Sequence, residues 1–451
     1  MDLKDKKVLV FGSGKSGIGA ADLLGAEGAR PVIYDGNEKT DREQVLGKTA
    51  GTYSVEFYAG ELPEEVLESL DLVVLSPGVP TDIPLVKRFY EMRLPVWGEV
   101  ELAYRTGKGR VLAITGTNGK TTTTALLGKI MKDACPSVFV VGNIGTPYTS
   151  KAQEMQENSV TVAEISSFQL ETIEEFAPEV SAILNITEDH LNRHHTMEEY
   201  IRVKELITKN QTGEDVCVLN YEDEVLRKFG ETAVPKVVYF SSARTLEKGI
   251  YLEGDTIMLT TETAKIPVVK TGELKLLGQH NYENVMAAVA MAYYAGVDME
   301  SIRKSVCEFT AVEHRIEYVT EKNGVVYYND SKGTNPDAAI KGIQAMNRPT
   351  YLIGGGYDKE SSYDEWIQAF DGKVRCLVLI GQTKEKIKAA AERLGFTDIV
   401  LLENLQEAVH YCAEHAKEGE AVLLSPACAS WGQFDNYEQR GDMFKKYVSE
   451  L

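Results

Sequence analysis

The chain has 451 residues, enough for about three domains at roughly 150 residues each, and is 43% hydrophobic and 26% charged. That is the composition of a folded globular protein and excludes a disordered tail or a single small module. A formal net charge of −20 argues against nucleic acid or an anionic membrane as a bulk partner, leaving room only for a local basic pocket.

No run of 18 apolar residues occurs, and the first seven residues lead straight into a short apolar strand, so neither a membrane span nor a signal peptide is expected. The six cysteines are scattered without a CxxC spacing and read as reduced core thiols of a cytoplasmic protein.

In chain order, residues 7–11 predict a strand, 12–17 a glycine turn and 18–27 a helix. A strand ending at Asp35 follows, then one at 71–75 closed by Ser76-Pro77-Gly78, together a small doubly wound α/β unit. The turn spells Gly12-Ser13-Gly14-Lys15-Ser16-Gly17, a GxGxxG with Asp35 about 20 residues on. Backbone amides at a helix N-terminus ask only for an anion, so a nucleotide-sugar diphosphate suits this turn as well as NAD does; a tight turn without ligand is the bland alternative.

A loop at 106–110 precedes a second unit: a strand from 111, Thr115-Gly116-Thr117-Asn118-Gly119-Lys120-Thr121-Thr122, and a helix over 122–132. This is a phosphate cradle in form, although its leading glycine departs from the GxxxxGK[ST] spelling. Its amides can wrap phosphate oxygens, Lys120 can reach the β/γ-phosphates and Thr121 can hold Mg²⁺. Strands are expected at 138–141, 160–165 and 180–186. Glu164 at the end of one and His190 after another fall where α/β sheets bind ligands, which points to a Mg²⁺-nucleotide site. His194 and His195 are expected to pack or cap. A helix at 197–209, a hairpin-like run at 250–259 and a helix at 281–295 complete the unit.

The alternation restarts near 312, with a β-rich stretch at 316–328 and strands at 350–353, 376–380, 399–402 and 421–424. His314-Arg315 and the polar string Asn329-Asp330-Ser331-Lys332-Gly333-Thr334-Asn335-Pro336 read as a functional loop, or as one in which Asp330 or Asn335 caps a helix over 337–346. Small residues at 354–356 and 425–430, after two strands, leave room for a small ligand. The fold class is α/β in three domains: an N-terminal Rossmann-like domain (1–98), a central P-loop-type mononucleotide-binding domain (99–311) and a C-terminal Rossmann-like domain (312–451).

Together these strings resemble the Mur ligases, ATP-dependent amide-bond-forming enzymes of peptidoglycan synthesis, over essentially the whole chain. The TGTNGKTT string is shared with folylpolyglutamate synthase. More specific are the strings at 164–171, 329–335 and 424–430 running on to 434–441, which point to the D-glutamate-adding member. The resemblance implies a cytoplasmic enzyme, expected as a monomer, that uses ATP and two Mg²⁺ to join D-glutamate to UDP-N-acetylmuramoyl-L-alanine.

By the same resemblance, Gly14, Lys15, Ser16, Asp35, Ser76, Gly78, Asn143, Ser166 and His190 would bind the UDP-sugar. Gly116, Thr117, Asn118, Gly119, Lys120, Thr121 and Thr122 would bind ATP, with Asn281 and Asn284 at the adenine and Arg315, Asp330 and Lys332 at the ribose and phosphates. Thr121, Glu164, His190 and Lys204 would hold metal. Lys120, Asn143, Glu164, His190 and Lys204 form the implied catalytic set, and Thr334, Lys359, Ser430 and Tyr437 the D-glutamate set. Lys204, a surface lysine by sequence, is implied to be carbamylated. Two other classes compete: an NAD-dependent oxidoreductase, which leaves the Gly119-Lys120-Thr121 loop unexplained, and a non-catalytic nucleotide-binding regulator, which leaves Glu164, His190 and the C-terminal strings unused.

Overall fold

The computed structural model describes residues 2–310 and 312–451; Met1 and Ala311, at which the sequence reading starts the first domain and ends the second, lie outside the described residues. Three sheets follow one another along the chain. The first contains β1 (Lys7–Phe11), β2 (Arg30–Asp35), β3 (Glu56–Ala59), β4 (Leu72–Leu75) and β5 (Val96–Gly98) in the order β3-β2-β1-β4-β5. Every pairing is parallel. Strands such as Leu72–Leu75 are apolar throughout because both faces are buried, as a parallel sheet requires.

The second sheet contains β6 (Arg110–Thr115), β7 (Val138–Gly142), β8 (Val160–Glu164), β9 (Val180–Ile183), β10 (Val216–Asn220), β11 (Lys236–Ser241), β12 (Gly249–Glu253), β13 (Thr256–Thr260) and β14 (Lys265–Lys270). Their order is β14-β13-β12-β11-β10-β9-β6-β8-β7. The β12–β13 pair is the expected hairpin. The third sheet contains β15 (Glu317–Lys322), β16 (Val325–Asn329), β17 (Thr350–Gly354), β18 (Val374–Leu379), β19 (Ile399–Leu401) and β20 (Ala421–Leu424), ordered β15-β16-β20-β17-β18-β19. Among the described residues its β15–β16 pair is the one antiparallel strand pair.

By compactness the chain forms two units. One runs to Val268 and takes in Asn284–Ser305; the other comprises Val269–Glu283 and Val306–Leu451. One apolar cluster runs through the first unit from Val10 and Leu24 of the first sheet's layer to Ala113, Tyr148 and Ile183 of the second, which is why both sheets belong to a single unit.

The helices after the two glycine turns begin at Lys15 and Lys120, inside the motifs, rather than at 18 and 122. Their first turns face the ends of the sheets, where no apolar pattern is needed. Asn335 is the N-cap of the helix Pro336–Ala345 and accepts from the Ala338 amide at 2.9 Å. The core-thiol expectation holds for Cys217, Cys376, Cys412 and Cys428, while Cys135 and Cys307 are half-buried. Among the described residues no helix is long and apolar enough to cross a membrane.

Candidate active site

In the first sheet the chain switches direction between β1 and β4, and the ends of those strands carry Gly12–Gly17 and Ser76–Gly78. This crevice is where doubly wound sheets take ligands. Gly14 is the extended N-cap of the helix Lys15–Ala26, whose first turn carries no acid to oppose an anion. Lys15 is exposed and Ser16 half-buried. Asp35 accepts from both the hydroxyl and the amide of Ser13. Burial raises its pKa, but hydrogen bonds from Ser13, Asn37 and Thr40 outweigh that and hold the carboxyl below its ordinary value. Ser76 Oγ lies 3.4 Å from the Gly12 carbonyl, which it meets across the switch.

The second sheet repeats the device with more charge. After β6 the backbone turns through Gly116 (φ 146°) and Gly119 (φ 85°), conformations that L side chains rarely adopt, and enters the helix Lys120–Ala134. Asn185 fixes the loop by accepting from the Asn118 amide at 2.8 Å and donating to its carbonyl at 3.1 Å. Lys120 Nζ folds back onto the Gly116 and Thr117 carbonyls, both at 2.8 Å. Thr121 and Thr122 lie in the helix's first turn, which again holds no acid.

Register pairs Glu164 with Ile114 of β6 on one side and Gly142 of β7 on the other, so the end of β8 stands beside the strand that leads into the loop. Glu164 is 1% exposed. Its Oε1 accepts from Asn143 Nδ2 at 2.7 Å, whereas its buried Oε2 has no hydrogen-bonding partner among the described residues. A buried carboxylate oxygen left in this way is costly unless a cation meets it, so the residue suits a metal ligand. Ser166, two residues on, caps the short helix Ser167–Leu170 through a capping box.

Lys204 is not a surface lysine. It is 1% exposed on the helix Met197–Glu205, with its Nζ 2.8 Å from the Gly116 carbonyl that Lys120 also meets and 4.7 Å from the centre of the Tyr200 ring. Burial, reinforced by the Lys120 charge, pushes its amine down to about 7. Tyr200 and Lys204 are four apart on one helical face, and Tyr200 in turn meets Thr117 through its hydroxyl at 3.1 Å. His190 has left-handed backbone (φ 53°) and an exposed ring 5.0 Å from that of Phe168. His194 is buried against Ser167 Oγ at 2.9 Å, the packing role expected of it, and the exposed His195 is the C-cap of the helix Leu191–His194 and pairs with Asp82 at 3.0 Å.

Of the implied adenine pair, Asn284 accepts from Thr123 Oγ1 at 3.3 Å beneath the phosphate loop. Asn281 donates to the Leu277 carbonyl at 2.7 Å within the second unit. That unit also holds Arg315, Asp330 and Lys332. Asp330, buried at the end of β16, accepts from Ser425 Oγ at 2.6 Å, and burial pushes its carboxyl up to about 7. Lys332 lies 5.6 Å from the Tyr437 ring, Ser430 is buried, Thr334 is half-buried, and the exposed Lys359 rests 4.8 Å over Trp431. A cleft of about 320 Å³ opens beside Tyr357 and Trp431.

Sequence reasoning gave no role to Arg440. Its buried guanidinium donates to Ser331 Oγ at 3.0 Å, Ser331 O at 2.8 Å and Cys428 O at 3.1 Å, and thereby ties the 329–335 string to the 424–430 string. An arginine placed in a string already singled out was the available signal.

Three family models match in succession: the MurD-like N-terminal domain of Mur ligases over residues 6–98, the Mur ligase middle domain over 114–292 and the Mur ligase glutamate ligase domain over 314–428. The UDP-N-acetylmuramoylalanine–D-glutamate ligase of Lachnoclostridium phytofermentans is 57% identical over 100% of this chain and 99% of its own length. The protein of the same name from Lachnospira eligens is 55% identical over 100% of both chains. Among solved structures, the UDP-N-acetylmuramate-alanine ligase of Thermotoga maritima superposes with a TM-score of 0.58 at 21% identity, covering 99% of this chain and 100% of that one, a likeness of fold.

Proposed function

The chain belongs to the Mur ligase family, and from that premise we propose that it is the ATP-dependent ligase that joins D-glutamate to UDP-N-acetylmuramoyl-L-alanine, in the cytoplasm, during peptidoglycan precursor synthesis. The observation that carries the reading is the convergence of Lys120 and Lys204 on the Gly116 carbonyl of the phosphate loop, with the buried Glu164 at the end of the neighbouring strand.

A carboxylate does not react with an amine at neutral pH. The L-alanyl carboxylate therefore takes the γ-phosphoryl group of ATP, releasing ADP and forming an acyl phosphate. The amine of D-glutamate attacks that carbonyl, a tetrahedral intermediate forms, and loss of a proton and of phosphate leaves the amide. Such a transfer asks the protein for position and charge neutralisation rather than a nucleophile. Loop amides and Lys120 would hold the phosphates, while Asn143 and His190 would flank the acyl carboxylate. Thr121, Glu164, His190 and Lys204 would hold two Mg²⁺, which supply neutralisation of phosphate charge when bound. Gly14, Lys15, Ser16, Asp35, Ser76, Gly78 and Ser166 would take the UDP-sugar. Thr334, Lys359, Ser430 and Tyr437 would take D-glutamate, with Lys359 at its side-chain carboxylate.

Carbamylation of Lys204 needs a neutral amine, because the lone pair attacks CO₂ and a proton is lost. An amine lowered to about 7 supplies that form at neutral pH, which supports the reading. The protein equilibrated with ¹³C-bicarbonate is expected to show one carbamate resonance that Lys204→Arg abolishes; an unchanged spectrum removes the modification. The ligase reading is tested by phosphate release with ATP, Mg²⁺ and UDP-N-acetylmuramoyl-L-alanine. Release should depend on D-glutamate and not on L-glutamate, and release that ignored D-glutamate would overturn the acceptor.

A further inference from the structure

The steps above use neither Arg193 nor Glu171, yet these two make a largely buried ion pair beside His190. Arg193 lies in the short helix Leu191–His194, just after His190, and Glu171 closes the helix Ser167–Leu170. Their side chains are only 11% and 10% exposed. Arg193 Nη2 and Nε reach the two Glu171 oxygens at 2.5 and 3.2 Å, and Nη2 also donates to the Val79 carbonyl at 2.9 Å. Thr81 Oγ1 approaches Glu171 Oε2 at 3.4 Å from the same loop. The guanidinium sits 4.9 Å over the Phe168 ring, against whose centre the His190 ring lies at 5.0 Å.

One side chain therefore grips three things: the loop after β4 that begins Ser76-Pro77-Gly78-Val79, the segment after Glu164, and the aromatic ring that supports His190. Resting on the ligase reading, we propose that Arg193, anchored by Glu171, is a positioning residue that holds the UDP-sugar loop in register with His190 and the phosphate loop. The planar fork matters, since a lysine's three donors radiate from a single nitrogen and lack the parallel pair of N–H groups that meets both carboxylate oxygens while a further one reaches a carbonyl.

The test compares the full-length wild type with Arg193→Lys, Glu171→Gln and the double variant. Phosphate release is measured as each substrate is varied, alongside calorimetric titration of UDP-N-acetylmuramoyl-L-alanine and of UDP alone. In Arg193→Lys, kcat/KM for the UDP-sugar should fall roughly ten- to a hundredfold, while affinity for UDP alone and KM for ATP stay within about twofold. Glu171→Gln should do the same, and the double variant no worse than either. A purely packing role would lower the unfolding temperature without this split between substrates. Equal loss toward ATP and UDP-sugar, or no loss toward either, overturns the proposal. Should the wild type itself release no phosphate with all three substrates, the ligase reading falls and the latch with it; an active wild type with indifferent variants sinks the latch alone.

Discussion

Two glycine turns in the first unit share one backbone idea and differ in electrostatics. Each leaves a parallel strand with neighbours on both sides, β1 between β2 and β4 and β6 between β9 and β8, and each opens a helix whose first turn is free of acid. Behind the first stand an exposed Lys15 and an Asp35 committed to Ser13. Behind the second stand Lys120 and the buried Lys204 on one carbonyl, with Glu164 alongside. Amide dipoles at a helix end suffice to hold a diphosphate that does not react. A phosphate that changes bonding needs charges fixed in place before charge moves, and only the second turn provides them.

The widest separation between the turns should come from Lys120→Ala. Removing a preorganised cation from a transferring phosphoryl group should cost about 10²–10³-fold or more in turnover. Titration of UDP-N-acetylmuramoyl-L-alanine should meanwhile give an affinity within about twofold of wild type. Equal losses in both would mean that the turns are not separate sites.

The backbone of the first turn can be broken without touching a charge. A Cβ on Gly17 would run into the Gly12 carbonyl, a backbone atom that cannot swing aside, whereas one on Gly14 meets nothing within 4 Å. Gly17→Ala should therefore lower stability by about 1–3 kcal/mol in urea unfolding. Gly14→Ala should leave it within about 0.5 kcal/mol but weaken UDP binding, because the methyl group would stand where a phosphate approaches the amides. Stability losses of similar size at both positions would remove the close approach of turn and helix as the cause.

That pair of glycines shows what the sequence could carry. Motif spacing located both turns and the strand ends bearing Glu164 and Asp330, because parallel strands are apolar runs that stop abruptly. The short or half-buried strands β3 and β5 and the proline-bearing β14 lack such a run and went unread, and β10 and β11 went unread although their apolar runs, Val216–Asn220 and Lys236–Ser241, were there to be seen. Lys204 was misjudged because a lysine in an amphipathic helix reads as solvated. What buries it is the loop it meets, at Gly116, 88 positions away in sequence, and no local pattern carries that contact. Arg193 and Arg440 were missed for the same reason: each is defined by a carbonyl from a loop distant in sequence, Val79 for one and Ser331 for the other.

The smallest effect concerns the anion that closes the first turn. Hydrogen bonds outweigh burial and hold Asp35 below its ordinary value of 3.8, so the folded state binds its proton less readily than the unfolded state does. Its contribution is therefore present above about pH 4 and is lost as pH falls through the lowered folded value. Asp35→Asn removes the ionisable group, so the gap in unfolding temperature between wild type and variant should be constant from pH 7 to about 5 and shrink below about 4. The partly solvated carboxylate limits that gap to about 1 kcal/mol or less. A gap unchanged down to pH 3 would mean that Asp35 serves by shape alone. The first turn would then draw nothing from its anion's charge, and the contrast with the second would be sharper still.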